Sequence, residues 1–158
     1  MEWLDLLRFA HVLGACVLIG TGAGIAFFMM MAHRTNDAAN IAHTAQAVVI
    51  ADTLFTATAA IVQPITGSLL ASALGWSLLE GWLVASLALY VVIGLFWLPV
   101  VYIQIQMRNE ARRAVASATP LGERYHRLYR IWFACGIPAF LAIAVLLWLM
   151  LMRPSLPI

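Results

Sequence analysis

Residues 108–130 read RNEARRAVASATPLGERYHRLYR and carry six of the nine arginines of a chain that contains no lysine. Residues 82–107 before this stretch and residues 131–152 after it are apolar and contain no charged residue. Each run exceeds the about 20 helical residues that cross a bilayer core of ~30 Å. The arrangement predicts two membrane-spanning helices joined by a basic connection.

The composition of the whole chain is typical of a membrane protein. Only 10% of its 158 residues are charged and 64% are hydrophobic, whereas a soluble domain carries about 25% charged residues. Two further apolar runs, residues 3–32 and 45–73, bring the predicted number of spans to four. Backbone groups in hydrocarbon must be paired within their own segment, so the spans are predicted to be helices. We therefore predict an all-α protein, an integral membrane four-helix bundle in a single transmembrane domain over residues 1–158.

The distribution of arginine predicts the orientation of this bundle in its membrane. With four spans, the connections 33–44 and 108–130 share one end, and they carry seven arginines, whereas the opposite end carries only Arg8 and Arg153. Because basic residues mark the cytoplasmic side, both termini are predicted outside the cytoplasm. The start of the chain is acidic at Glu2, so a cleaved signal peptide, which starts with a basic region, is not expected.

His11 is the most informative residue for chemistry, because ionisable residues inside a membrane are costly and usually functional. Gly14 follows one turn later and would let a flat macrocycle approach the backbone, and neutral imidazole is a common axial ligand of haem iron. Arg8, one turn earlier, would pair with a haem propionate. These residues predict a haem b site in which His11 ligates the iron. Alternatively, His11 forms a hydrogen bond across helices and Gly14 permits close helix packing.

A second intramembrane ionisable residue is Asp52, within the second span. A lone ionised carboxylate is expensive there, so Asp52 is expected to face the bundle interior and to find a partner or be protonated. Gln104, at similar depth, and Arg108, one turn beyond it, are the expected partners. A proton-handling role for Asp52 is the alternative.

Three prolines are predicted to break the helices of the spans. Proline lacks an N–H, so Pro64 leaves the carbonyl near Ala60 without its helical donor. The neighbouring Gln63 is therefore a polar candidate that either lines a cavity or accompanies a simple kink. Pro99 and Pro138 predict similar breaks in the third and fourth spans. Together the three prolines suggest a bundle that is opened around a bound group or a cavity.

The basic side of the bundle carries the remaining polar candidates. Tyr125, His126 and Arg127 are predicted to form a polar cluster at the cytoplasmic face, whereas His33 and His43 are expected to be solvated loop residues. The arginines are interpreted as a topology signal in contact with anionic lipid, with an anion-binding surface for carboxylates or phosphates as the alternative. The net charge of +2 is too small to suggest nucleic-acid binding.

The chain also resembles a known family over nearly its whole length. The residues that carry the resemblance are His11 with residues 21–24 (TGAG), Asp52, Gln63-Pro64 with Thr66-Gly67, residues 97–99 (WLP), Gln104, Tyr125-His126-Arg127, and Trp132 with residues 138–140 (PAF). This pattern resembles the bacterial integral membrane family catalogued as domain of unknown function 2269. The resemblance implies a four-helix inner-membrane protein.

A more distant similarity is to the HemJ-type protoporphyrinogen oxidases and the CopD-like membrane proteins. Their first span also contains a histidine among small residues, and His11 is the matching position. In the HemJ type this histidine is implicated in b-type haem binding, so the resemblance implies the same role for His11. Where the HemJ type continues with a tryptophan and an Arg-Leu motif, this chain has residues 20–24 (GTGAG) and ends the span in His33-Arg34.

Three hypotheses of function follow. In the first, the protein binds a b-type haem or a related porphyrin through His11 and serves membrane electron transfer or porphyrin oxidation, as a haem-dependent oxidoreductase with a membrane redox partner. In the second, it is a non-enzymatic helical-bundle subunit that assembles with itself or with another membrane protein. In the third, it is a small transporter with a polar path along Asp52, Gln63 and Gln104.

Overall fold

The computed structural model describes residues 2–156, and within them the chain is entirely helical apart from short turns. The helices are α1 (Glu2–Arg34), α2 (Ala38–Ala51), α3 (Ala57–Ala73), α4 (Gly81–Ala116) and α5 (Glu123–Met152). A π-helical turn, Asp52–Thr56, joins α2 to α3 without a break, so the two form one continuous segment. Four segments are thus long and apolar enough to cross a membrane, which confirms the predicted all-α, four-span fold.

The helices extend further beyond the apolar runs than we predicted. The connections expected at residues 33–44 and 108–130 shrink to turns at residues 35–37 and 117–122. Asp37 starts α2 early, because its carboxylate accepts hydrogen bonds from the backbone N–H groups of Ala39 (3.0 Å) and Asn40 (3.3 Å). Alanine, glutamate and arginine are strong helix formers in water, so hydropathy alone underestimated the helix lengths.

The turns and helix ends lie at two opposite ends of the bundle. We call the end formed by residues 35–37 and 117–122 the basic end, and the end formed by the start of α1, the end of α5 and residues 74–80 the terminal end. The main core lies in the half nearest the basic end. Its buried members are Ile25, Met29, Ala32, Ile41, Ala45, Val48, Val100, Ile103, Met107, Ala111, Tyr125 and Trp132.

The four segments pack as a ring in which one seam is weaker than the others. Helix α4 packs along α5 and against α2, and α1 packs against α2 and α3, whereas α1 and α5 touch at few points. At the terminal end a smaller cluster of Ala71, Trp82 and Leu83 connects α3 with α4. Many large apolar side chains, among them Leu6 and Leu95, are exposed on the outer surface, which suits a surface that faces lipid.

The helices continue through Pro64, Pro99 and Pro138, so these prolines do not interrupt them, and the kinks stay a prediction. At Pro64 the reason is visible. The carbonyl of Ala60 lacks its helical donor, and the hydroxyl of Tyr90 on α4 donates to it instead. The irregular element of the second span is the π turn at Asp52–Thr56, a type of distortion that is frequent at functional sites.

Candidate functional site

The terminal half of the bundle contains a polar contact between α1 and α3. His11 Nδ1 lies 2.8 Å from the hydroxyl oxygen of Thr66. That hydroxyl lies within reach of two backbone carbonyls, Val62 at 2.9 Å and Gln63 at 3.2 Å, to which it donates its single proton. The arrangement favours the tautomer in which His11 Nδ1 carries the hydrogen and donates to Thr66, so Nε2 keeps a free lone pair.

Two glycines receive the polar side chains of this contact. The imidazole of His11 on α1 lies against Gly67 on α3, where a Cβ would stand 3.1 Å from Cε1. In return, the amide of Gln63 on α3 lies against Gly14 on α1, where a Cβ would stand 3.3 Å from Cδ. The surface at Gly14 is therefore covered by Gln63 and does not offer the open space that a macrocycle needs. The Gln63 Oε1 atom is buried and has no hydrogen-bond partner within residues 2–156.

Arg8 lies outside this contact. Its guanidinium is exposed and forms a 3.5 Å ion pair with Asp5, also exposed, one turn earlier on α1. Such a pair contributes little in water, so Arg8 is available to an anionic group at the terminal end.

A second polar centre lies deeper in the bundle, where the π turn begins. Asp52 is only 4% exposed, and Trp97 Nε1 on α4 donates to its Oδ1 over 3.2 Å. In the amide orientation that satisfies both neighbours, Gln104 donates to Asp52 Oδ2 over 3.1 Å and accepts from Trp132 Nε1 over 3.2 Å. Three buried side chains, Asp52, Gln104 and Trp132, and the half-buried Trp97 thus connect the π turn, α4 and α5. The expected contact of Asp52 with Gln104 is present, whereas Arg108 points elsewhere and contacts Gln46 and Asn109.

Two members of this centre, Trp97 and Trp132, were not predicted as partners of Asp52. A signal for Trp97 was available, since it precedes Gln104 by seven residues, or two helical turns, and therefore shares a face of α4 with it. For Trp132 on α5 no comparable signal exists, because its position depends on how α5 packs against α4.

An aromatic cluster lies at the basic end. His33, in the last turn of α1, stacks on Tyr129 with ring centroids 3.6 Å apart, and its Nδ1 lies 3.2 Å from the hydroxyl of Tyr125. The prediction that His33 is a solvated loop residue was therefore wrong, because α5 begins early enough to cover it. His43, in contrast, is exposed on α2.

The predicted grouping of Tyr125, His126 and Arg127 is divided by the helix. Tyr125 is fully buried, His126 lies beside His33 with ring centroids 5.8 Å apart, and Arg127 is exposed. The ring centroids of Tyr125 and His126 lie 5.4 Å apart and both rings contact His33, so two of the three predicted residues are together and only Arg127 stands apart.

The polar centres are separated along the bundle. His11 and His33 stand 22 residues apart on α1, or about 33 Å at the helical rise of ~1.5 Å, so no ligand of haem size joins them. Asp52 and Gln104 meet, but Gln63 is eleven residues from Asp52, about 16 Å along the helix. Within residues 2–156 no group of three or more histidine, cysteine or acidic side chains is placed to hold a metal ion.

A surface cavity of about 570 Å³ lies at the terminal end, where Trp76, Glu80, Trp82 and Arg153 contribute its polar and aromatic lining. Its charged groups already have partners. The guanidinium of Arg153 lies 4.4 Å above the ring of Trp76, and Glu80 accepts from Trp82 Nε1 over 2.8 Å. These contacts hold the end of α5 against the connection between α3 and α4.

Comparison with known proteins identifies one match. A family model with the description "Predicted integral membrane protein (DUF2269)" matches residues 5–154. No curated protein and no solved structure matches the chain.

Proposed function

The chain belongs to this family of predicted integral membrane proteins, and on that premise we propose that it binds a b-type haem or a related porphyrin through His11 and serves redox chemistry in the bacterial inner membrane. The observation that carries the proposal is the hydrogen bond between His11 Nδ1 and Thr66. A histidine that ligates a metal donates its other ring N–H to a fixed acceptor, which orients the ring and sets the tautomer. Thr66 stands in that position.

The residues around His11 fit such a cofactor in part. The donor fits, because the free Nε2 is the atom that would ligate iron and Thr66 would hold the imidazole in place. Arg8 fits as the partner of a propionate, since its present ion pair with Asp5 is exposed. The bound haem would supply the electron-transfer chemistry, while the protein would supply ligation, burial and orientation.

The space for the macrocycle does not lie where the sequence suggested. Because Gln63 covers Gly14, a macrocycle bound through His11 would have to lie along the side of α1 that faces α5 or the lipid. About two turns beyond His11, Ile19 and Phe140 border a cavity of about 50 Å³ between these helices, far below the ~300–1,000 Å³ of small-molecule pockets. The seam between α1 and α5 has the fewest contacts, so the proposal requires that this seam widens when the cofactor enters.

The experiment is an absorption spectrum of the detergent-purified protein from haem-replete cells, oxidised and then reduced with dithionite. We expect a Soret band and sharp reduced α and β bands in the wild type, and their loss in His11→Ala. His43→Ala is the matched control, because His43 is exposed at the other end of the bundle, and it should keep the full spectrum. Thr66→Val should retain less haem than wild type. A colourless wild type, or an unchanged spectrum in His11→Ala, would contradict the proposal.

We also propose an orientation of the bundle in the membrane. Arg34 and the six arginines of residues 108–130 lie at or near the basic end, whereas only Arg8 and Arg153 lie near the terminal end, so we infer that both termini face away from the cytoplasm. Alkaline phosphatase fused after Ile158 should be active and green fluorescent protein fused there should be dark. The reverse pattern would show the opposite orientation.

A second candidate function rests on the reciprocal packing of α1 and α3. Gly14 receives Gln63 and Gly67 receives His11, which gives all four residues a structural role without any cofactor. The protein would then be a non-enzymatic bundle subunit that assembles with itself or another membrane protein. In that case the purified protein is colourless, and His11→Ala lowers its thermal stability while leaving no spectral change to detect.

A further inference from the structure

Two arginines near the basic end converge on one neutral acceptor. Arg108 and Arg112 lie one turn apart on α4, and their side chains reach the same atom, the amide oxygen of Gln46 on α2. The distances are 3.3 Å from a terminal nitrogen of Arg108 and 2.8 Å from a terminal nitrogen of Arg112. Arg108 also donates to the side-chain oxygen of Asn109 through Nε (3.2 Å) and its other terminal nitrogen (3.1 Å). Both acceptors are uncharged, so two positive charges meet at a point with no negative charge between them.

The other face of α4 shows the usual way in which such charges are balanced. There Glu110 pairs with Arg113 at 3.1 Å and with Arg124 at 3.2 Å. Neither Arg108 nor Arg112 forms an ion pair with any carboxylate in the part of the chain that the structure describes. Like charges held close together repel each other, so an anion placed between the two guanidinium groups would stabilise the arrangement.

We propose that Arg108, Arg112 and Gln46 form a binding site for a phosphate-bearing anion, with the headgroup of an anionic phospholipid as its occupant. The planar guanidinium presents paired N–H donors that match phosphate oxygens. The depth of the site favours a lipid as the source. Arg108 directly follows the apolar run 82–107 and Gln46 lies at the start of the apolar run 45–73, so the site stands at the level where the hydrocarbon core gives way to headgroups.

The first test measures lipid retention by native mass spectrometry on the full-length protein, delipidated in a neutral detergent and then supplied with phosphatidylglycerol or phosphatidylcholine. Wild type should hold phosphatidylglycerol at least five times better than phosphatidylcholine. The double variant R108Q/R112Q should lose this preference. R127Q/R130Q is the matched control, because it removes the same charge from exposed arginines on α5, and it should change retention less than twofold. Equal losses in the two double variants would overturn the proposal in favour of a general charge effect.

The second test keeps every arginine and is independent of any loss of folding. Gln46→Glu places a carboxylate where the two guanidinium groups meet, so the protein supplies its own anion. This variant should melt at a higher temperature than wild type without lipid and should gain less than half of the wild-type stabilisation from phosphatidylglycerol. If Gln46→Glu binds phosphatidylglycerol as well as wild type does, the site is not at Gln46 and the proposal fails.

Parallel thermal-shift measurements with inorganic phosphate and glycerol phosphate distinguish a lipid headgroup from a soluble anion as the occupant of the site. Stabilisation by phosphatidylglycerol alone supports the site and assigns it to a lipid. Equal stabilisation by the soluble phosphates, lost in R108Q/R112Q, supports the site and assigns it to a soluble anion. No stabilisation by any of the three compounds overturns the proposal.

Discussion

The hydroxyl of Tyr90 on α4 donates a hydrogen bond to the carbonyl of Ala60 on α3, the acceptor that Pro64 leaves without its helical N–H. Tyr90→Phe should therefore lower the free energy of unfolding by about 0.5–2 kcal/mol, because a carbonyl inside the membrane loses its partner. Pro64→Ala restores the helical donor, so in that background the same Tyr90→Phe change should cost much less. Thermal denaturation in detergent compares the wild type, the two single variants and the double variant. Equal costs of Tyr90→Phe in both backgrounds would show that Tyr90 does not stabilise the protein by pairing with the carbonyl of Ala60.

The glycines that receive His11 and Gln63 make a prediction about packing. Gly67→Ala introduces a methyl group 3.1 Å from the imidazole of His11, so we expect a loss of about 1–3 kcal/mol from overpacking. Gly20→Ala is the matched control on α1, because within residues 2–156 no atom of a neighbouring element lies within 4 Å of the added methyl. The control should be neutral or slightly stabilising, since alanine is the better helix former. A neutral Gly67→Ala would mean that the imidazole of His11 yields to the methyl group and is not held in place by Thr66.

The centre at Asp52 predicts an unequal effect of two similar substitutions on α4. Gln104→Leu should destabilise by about 2–4 kcal/mol, because it leaves both a carboxylate oxygen of Asp52 and the indole N–H of Trp132 buried without partners. Gln106→Leu removes a glutamine whose only hydrogen-bond partner within residues 2–156 is the exposed Arg124, so its effect should stay below about 0.5 kcal/mol. Chemical denaturation followed by tryptophan fluorescence compares the two. Equal effects would argue against the network.

Two histidines near the basic end are expected to differ in their contribution to stability. His33→Ala removes a ring stacked on Tyr129 and the partner of the buried Tyr125 hydroxyl, so we expect a loss of about 1–2 kcal/mol. His43→Ala changes an exposed residue of α2 and should be neutral within about 0.5 kcal/mol. Thermal denaturation measures both effects. A neutral His33→Ala would support the prediction from the sequence that His33 is a solvated residue.

Candidate site residues that stand out within a single segment could be predicted from the sequence, whereas most contacts that depend on two helices could not. Asp52 and His11 were found because an ionisable residue within an apolar run stands out by itself. Gln104 was expected beside Asp52 from its depth alone, and the two residues do meet. The stacking of His33 on Tyr129 was missed, because it depends on two helices that continue beyond their apolar runs and then meet.

The sequence by itself determined that this is an all-α protein with four membrane-spanning segments, because hydropathy and the need to pair every backbone group act within each segment. Depth along the segments suggested some of the polar neighbours, but only the tertiary structure decided through which atoms the polar groups of different helices meet. It placed Thr66 beside His11 and Gln63 over Gly14, and it brought Arg108 and Arg112 together at Gln46. These contacts depend on the rotation and register of each helix against its neighbours, which are set by side-chain packing between segments distant in the chain.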